Sequence, residues 1–155
     1  MQKIVPNLWF DTESEEAANF YCSIFKDSRI LRISHYGEAG PRPAGMVLTV
    51  DFELAGQRFT ALNGGPDFKF NEALSLLVNC EDQAEVDEFW EKLSAGGSTN
   101  ACGWLKDKYG VSWQIVPAIL EDMIADADAD KVNRVMKVML QMTKIDIAEL
   151  EEAYA

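Results

Sequence analysis

Hydrophobic and polar positions follow the same order twice along the chain. Residues 7–25 (NLWFDTESEEAANFYCSIF) begin with a short alternation, pass through an acidic turn, and continue with apolar residues at helical spacing. Residues 75–93 (SLLVNCEDQAEVDEFWEKL) repeat this order, and the aromatic pair at 89–90 stands 69 positions after the pair at 20–21. Each segment predicts a strand, a turn and an amphipathic helix, and the repetition predicts two copies of one supersecondary unit.

Further strands are predicted after each helix. The first half offers three, over residues 29–36, 46–54 and 57–63, and the second half offers shorter ones over 98–101, 103–106 and 111–116. Ala55-Gly56 predicts a tight hairpin turn between the last two strands of the first set. Gly110 follows Gly56 by only 54 positions, so the second copy is about 15 residues shorter between helix and hairpin. Each copy reads β-α-β-β-β.

Capping patterns mark where the helices begin. Thr12 with Glu15 and Asp82 with Glu85 have the spacing of capping boxes. Beyond Pro117 the pattern becomes helical, with an apolar stripe that should dock the tail and a last helix capped by Asp146 with Glu149. The stripe consists of Val132, Val135, Met136, Met139 and Met142.

Length and charge limit the class of protein. A chain of 155 residues with 48% hydrophobic residues suits a single domain over 1–155, with module one at about 1–65, module two at about 70–117 and C-terminal helices at about 118–153. The net charge of −12 leaves no basic stripe, so we expect neither nucleic acid nor a membrane surface as partner. No secretory signal or membrane-spanning run is visible, which predicts a cytoplasmic protein. Three cysteines without C-x-x-C spacing favour reduced thiols.

Three segments carry a resemblance to a known family: LWFDTESEEAANFYCSIF, FTALNGGPDFKFNEALSLLVNCEDQAEVD and CGWLKDKYGVSWQIVP. Together with the duplication they resemble the vicinal-oxygen-chelate superfamily, and more closely its PhnB-like branch, which carries the label 3-demethylubiquinone-9 3-methyltransferase-like. The resemblance implies an α+β fold in which two βαβββ modules form a curled mixed sheet around a cavity, as in glyoxalases, with a C-terminal helical tail. It also implies a homodimer and, in metal-dependent relatives, ligands from the first and last strands of each module.

The positions at which such relatives hold a metal carry unsuitable residues here. The inward residues of the first strands are read as Val5, Asn7 and Trp9, and as Ala73, Ser75 and Leu77. Aligning the hairpin glycines places Thr60 opposite Gln114, where metal-binding relatives often carry Glu. Since His and carboxylate are missing, we expect no metal. No glycine-rich turn opens a helix after a parallel strand, so we expect no cofactor of the S-adenosylmethionine kind either.

Aromatic and polar residues in strands and loops supply the remaining candidates for a ligand cavity. Trp9, Trp104 and Trp113 are candidates for its walls, with ordinary core packing as the alternative. Asn63, Phe68 and Phe70 belong to a Gly-rich segment that either borders the cavity or links the modules.

Other reactive side chains have simpler interpretations. His35, the only histidine, ends a strand and is interpreted as a surface residue rather than an acid/base group. Cys102 is interpreted as a small buried hydrophobe rather than a nucleophile. Asp51 and Glu53 are interpreted as a solvated strand face rather than an acid pair.

Three functions remain open from the sequence. The first is a small-molecule binding protein of this superfamily without a catalytic metal. The second is a metal-independent or unusually ligated enzyme with transferase activity, for which Asn7, His35, Asn63 or Gln114 would have to converge on one pocket. The third is a dimeric interaction protein, suggested by the acidic tail and the phenylalanine segment.

Overall fold

The computed structural model describes all residues from Met1 to Ala155. The chain forms two compact units, Met1–Lys69 and Phe70–Ala155. The first unit contains β1 (Asn7–Phe10), α1 (Ser14–Ile24), β2 (Arg29–His35), β3 (Val47–Leu54) and β4 (Gln57–Asn63). The second contains β5 (Ser75–Cys80), α2 (Gln83–Ser94), β6 (Ser98–Thr99), β7 (Trp104–Lys106), β8 (Ser112–Pro117), α3 (Ala118–Ile124), α4 (Ala129–Met139) and α5 (Ile147–Tyr154). The predicted β-α-β-β-β order of each copy is confirmed.

Each unit forms one four-stranded mixed sheet with the same topology. The strand orders are β1-β4-β3-β2 and β5-β8-β7-β6, and in both sheets the first strand pairs in parallel with the last. Thr60 and Gln114 each lie three residues before the end of their strand, at Asn63 and Pro117, which supports their predicted equivalence. The hairpin turn between β3 and β4 is confirmed, since Ala55 and Gly56 take φ values of 50° and 81°.

Alternation divides the residues of each sheet between two faces. In the first sheet α1 packs on β3 and β4, and the buried apolar residues of the strands point to that side. In the second sheet α2 packs on β5, β7 and β8. The face that points away from α1 or α2 is called here the helix-distal face. The buried residues of the sheets and helices that form the two cores include Leu8, Phe10, Tyr21, Val50, Phe52, Val86, Leu93, Leu105, Trp113 and Ile115.

The start of α1 differs from the prediction. The residue before α1 is Glu13, and no side chain of the segment that leads into the helix caps it. The prediction that Thr12 caps α1 is therefore wrong. By contrast, Asp82 accepts a hydrogen bond from the backbone N–H of Glu85 at 2.9 Å, as predicted for α2. The cap of α1 comes from elsewhere in the fold and is described below.

The tail builds a small core of its own within the second unit. Val135 on α4 and Leu150 on α5 are fully buried, and Ile145 between the two helices joins them. Asp146 caps α5 by accepting from the N–H of Glu149 at 3.1 Å, as expected. Of the predicted stripe, Met142 lies beyond the end of α4 but still belongs to this core. No helix of the chain has the length and apolar character needed to cross a membrane.

Candidate functional site

The helix-distal face of the second sheet brings together several predicted site residues. Gln114 pairs across the ladder with Trp104 on one side and with Leu77 on the other. The Gln114 carboxamide donates through Nε2 to the Ser75 hydroxyl at 2.9 Å, which orients the amide and leaves its oxygen without a protein donor. Trp104 is half-buried and Leu77 is 51% exposed. An indole, an aliphatic surface and one oriented amide thus lie side by side.

The border of this face is polar. Ser112 lies opposite Ser75 in the parallel ladder, and its hydroxyl is buried without a hydrogen-bond partner in the protein. Lys106 forms an ion pair with Glu72. The hydrogen bond from Lys106 is the main reason that the pKa of the Glu72 carboxyl is lowered. The positive charge of Lys106 is therefore compensated.

The helix-distal face of the first sheet is charged. The Asp51 carboxylate accepts from the Arg58 guanidinium at 3.0 Å, from Arg32 at 3.4 Å and from the Thr60 hydroxyl at 2.8 Å. Asp51 is only 9% exposed, so its interpretation as part of a solvated face is wrong. The reason is tertiary, because Arg32 and Arg58 arrive from the strands on either side of β3. Glu53 does pair with an exposed residue, Arg29, at 3.2 Å.

Trp9 lies at the end of the same sheet in a packed aromatic arrangement. Its ring contacts Phe68 edge to face, with 4.8 Å between centroids, and its Nε1 donates to the carbonyl oxygen of Gly65 at 2.9 Å. A Cβ on Gly64 would lie 2.4 Å from the ring, so the segment must have glycine there. Phe68 remains 65% exposed. Asn7, two residues before Trp9, is exposed beside Thr60 in the ladder.

Asn63 is a structural residue rather than a cavity residue. It is 2% exposed and lies opposite Phe10, on the face that α1 covers. Its side-chain oxygen accepts from the backbone N–H of Ser14 at 2.9 Å, and its Nδ2 donates to the carbonyl oxygen of Val47 at 3.0 Å. Asn63 therefore caps α1 from the neighbouring strand.

Trp113 is likewise placed in the core. It pairs with Leu105 on the face that α2 covers and is 2% exposed. Its Nε1 donates to the Asp107 carboxylate at 2.9 Å, and the other oxygen of Asp107 accepts from the N–H groups of Tyr109 and Val111. The structure thus corrects the prediction of Trp113 as a cavity wall. Strand parity was the available signal, because Trp113 is adjacent to Gln114 and must face the other way.

The remaining candidates are His35, Phe70 and the cysteines. His35 is exposed at the end of β2, and Phe70 is half-buried at the start of the second unit. The three cysteines are free. Burial raises the pKa of the Cys80 thiol to about 12, and Cys102 points its Sγ at the carbonyl oxygen of Met139 at 3.6 Å. Burial therefore disfavours the thiolate form of Cys80.

The donor groups on the helix-distal faces do not fit a catalytic metal. Asn7, Thr60, Ser75 and Gln114 are neutral, and the Asp51 carboxylate is taken up by two arginines and a hydroxyl. No group of three or more His, Cys, Asp and Glu side chains is placed to hold a metal ion.

A nucleotide cofactor of the usual kind fits no better. The turns that lead into α1 and α2 contain Asp11, Glu13, Glu81 and Asp82 and no glycine, so their charge would repel a phosphate or carboxylate.

A groove on the tail was not predicted from the sequence. It has a volume of about 590 Å³, and no predicted site residue lines it. Its walls include Lys137 and Val138 of α4 and Glu149 of α5.

The fold shown by these two modules is that of the vicinal-oxygen-chelate superfamily, an α+β class of paired βαβββ units, here with added C-terminal helices. The family model described as 3-demethylubiquinone-9 3-methyltransferase matches residues 2–116. The chain belongs to this family, the PhnB-like branch of the superfamily.

Solved structures agree with this assignment. A putative 3-demethylubiquinone-9 3-methyltransferase, a PhnB protein from Bacillus cereus, is 41% identical, with a TM-score of 0.69 over 76% of this chain and 100% of its own. A protein from Pseudomonas aeruginosa is 21% identical, with a TM-score of 0.60 over 73% of this chain and 95% of its own. The fosfomycin resistance protein FosX from Listeria monocytogenes, solved with Mn(II) and sulfate, is 14% identical, with a TM-score of 0.55 over 80% of this chain and 97% of its own. These last two show the fold alone. No curated protein matches the chain.

Proposed function

We propose that the chain is a small-molecule binding protein that works without a catalytic metal ion, and that its ligand is a flat aromatic or hydrophobic molecule bound on the helix-distal face of the second sheet. The observation that carries this proposal is the placement of Gln114 between Trp104 and Leu77. Ligand sites of this kind are mostly apolar with a few oriented polar groups. The Gln114 oxygen is suited to accept a hydrogen bond from a hydroxyl or amine on the ligand.

The neutral chemistry of this face favours an uncharged ligand. Lys106 is paired with Glu72, and the other polar groups on this face are hydroxyls and carboxamides. A charged ligand would lose its hydration without gaining an opposite charge. Trp104 would stack on the ring system, as half-buried indoles do in many pockets.

Fluorine NMR on protein labelled with 5-fluorotryptophan tests the proposal directly. The four tryptophans give four resonances, which Trp-to-Phe variants assign. On titration with 2-naphthol, the Trp104 resonance should shift saturably, whereas the buried Trp113 on the opposite face should not. Gln114→Ala should weaken binding by about threefold to tenfold through the lost hydrogen bond. No saturable shift at Trp104, or an equal shift at Trp113, would overturn the proposal.

The family description names a methyltransferase. Two measurements on the purified protein distinguish that alternative from the proposed binding protein. Elemental analysis of protein purified without chelator, with thermal shifts in S-adenosylmethionine and in Mn²⁺, should give no bound metal and no change in melting temperature. A stoichiometric metal or a cofactor-dependent rise in melting temperature would favour the enzyme instead.

Light scattering on the same sample measures the oligomeric state, which we propose is a homodimer that uses exposed apolar residues such as Phe68.

A further inference from the structure

The C-terminal tail lies outside the part of the chain that the family model describes. The match ends at residue 116, and the Bacillus cereus relative corresponds over its full length to 76% of this chain. Residues 118–155 carry α3, α4 and α5 with their own buried core. The connection between α4 and α5 touches the second module at two places.

The first contact is with the turn that leads into β7. The backbone N–H of Cys102 donates to the carbonyl oxygen of Met142 at 2.9 Å, and that of Gly103 donates to Thr143 at 2.8 Å. Both turn residues have left-handed backbone, with φ of 59° at Cys102 and 80° at Gly103. This conformation is costly for a cysteine and persists only where surrounding contacts enforce it. The next residue of the chain is Trp104.

Gly103 permits the close approach of the tail to the sheet. A Cβ at this position would lie 2.7 Å from the carbonyl oxygen of Ile115 and 3.1 Å from Cγ1 of Ile145. The Gly103 carbonyl also accepts from the N–H of Ile115 at 2.8 Å, which continues the ladder beside Gln114. The tail, the turn and β8 therefore share one packed junction.

The second contact is with the first turns of α2. The Gln83 side chain donates to the carbonyl oxygen of Ile145 at 3.0 Å and accepts from the N–H of Ile147 at 2.8 Å, as a backbone partner would. Lys144 lies 2.8 Å from the Asp87 carboxylate. The α4–α5 connection is thus held from both sides, by α2 and by the turn before Trp104.

We propose that the tail is a positioning element for the binding surface, which fixes the turn at 101–103 and through it the placement of Trp104 opposite Gln114. This inference rests on the proposed function for its effect on ligand binding, but not for its effect on Trp104 itself. Gln83 and Lys144 are the positioning residues, since they hold the tail without touching the helix-distal face.

The test uses full-length protein labelled with 5-fluorotryptophan and the variants Gln83→Ala, Lys144→Met and their combination. The Trp104 resonance should shift or broaden, and amide exchange of Cys102 and Gly103 should accelerate by about tenfold. Affinity for 2-naphthol should fall by about threefold to tenfold. Lys92→Met is the matched control, because Lys92 pairs with Glu88 on the same helix at 2.7 Å and should leave Trp104 unchanged.

The outcomes separate the two proposals. A Trp104 resonance that stays in place while the Cys102 and Gly103 amides exchange faster would overturn the positioning role. If 2-naphthol never perturbs Trp104 in the parent protein but the variants still move its resonance, the tail positions Trp104 and the proposed function fails. If the double variant unfolds, the measurements on Lys144→Met alone test the positioning role. This change is milder, because both side chains of the ion pair that it removes are half-exposed.

Discussion

The side-chain oxygen of Asn63 lies 2.9 Å from the backbone nitrogen of Ser14 and closes the N-terminal end of α1 from the strand beneath it. The two residues are 49 positions apart, and the bond is buried. A helix whose own segment offers no side-chain cap is therefore capped by the sheet on which it packs.

Replacing Asn63 should destabilise the fold. Asn63→Ala removes the acceptor for the buried N–H of Ser14 and the donor to the partly buried carbonyl of Val47, at a cost of about 1–3 kcal/mol. Urea unfolding measures the change. Asn79→Ala, at an exposed position of β5, should change the free energy of unfolding by less than about 0.5 kcal/mol. Equal effects of the two changes would contradict the capping role.

The two tryptophans of the second sheet should respond differently to substitution. Trp113→Phe takes a donor from the buried Asp107 carboxylate and should cost about 1–3 kcal/mol, visible as a lower urea midpoint. Trp104→Phe should cost less stability but should weaken the binding of 2-naphthol. Binding of 2-naphthol is compared under conditions in which both variants are folded. If Trp113→Phe then weakened binding more than Trp104→Phe, our assignment of the two tryptophans to opposite faces would be wrong.

Asp51 should contribute more to stability than its neighbour Glu53. Asp51→Asn removes the charge that compensates Arg58, and we expect a loss of about 1–2 kcal/mol, since Arg58 is partly buried and the more exposed Arg32 adds little. Glu53→Gln should cost less than about 1 kcal/mol because Arg29 is exposed to solvent. Measuring the free energy of unfolding of both variants at low and high salt tests which carboxylate contributes more. A larger loss of stability for Glu53→Gln than for Asp51→Asn would contradict the prediction.

Attachment of the tail should weaken in acid. Hydrogen bonds from Lys144 and then Gln83 lower the pKa of Asp87 below its usual 3.8. A lowered pKa in the folded state means that the contribution is complete above pH 3.8 and is lost as pH falls through the folded-state value. The protection factor of the Ile147 amide, which corrects for the intrinsic pH dependence of exchange, should fall over that range, and Asp87→Asn should remove this part of the pH dependence. Unchanged pH dependence in Asp87→Asn would assign it to another group.

Local patterns were sufficient to predict the elements of the fold. The duplicated βαβββ order, the turn at Ala55-Gly56 and the caps at Asp82 and Asp146 depend on neighbours within a few residues. Aligning the hairpin glycines Gly56 and Gly110 predicted that Thr60 and Gln114 are equivalent, and each lies three residues before the end of its strand. Strand parity separates Asn63 from Thr60 and Trp113 from Gln114, so these two corrections were within reach of the sequence.

Other features depended on partners that only the folded chain supplies. The arginines that neutralise Asp51 lie 19 and 7 positions away in the sequence and reach it through the register of β2 and β4. The docking of the tail joins Gln83 to Ile145, 62 positions away. The spacing of apolar and polar residues along the chain does not indicate which distant strands or turns will be in contact.

By itself, then, the sequence determined the two modules and their strand alternation, because these follow from the local spacing of apolar and polar residues. Only the tertiary structure decided that Asn63 caps a helix, that Asp51 is buried between arginines and that the tail is fixed beside Trp104. Each of these depends on hydrogen bonds between segments far apart in the chain, whose register is set by the packing of the whole unit.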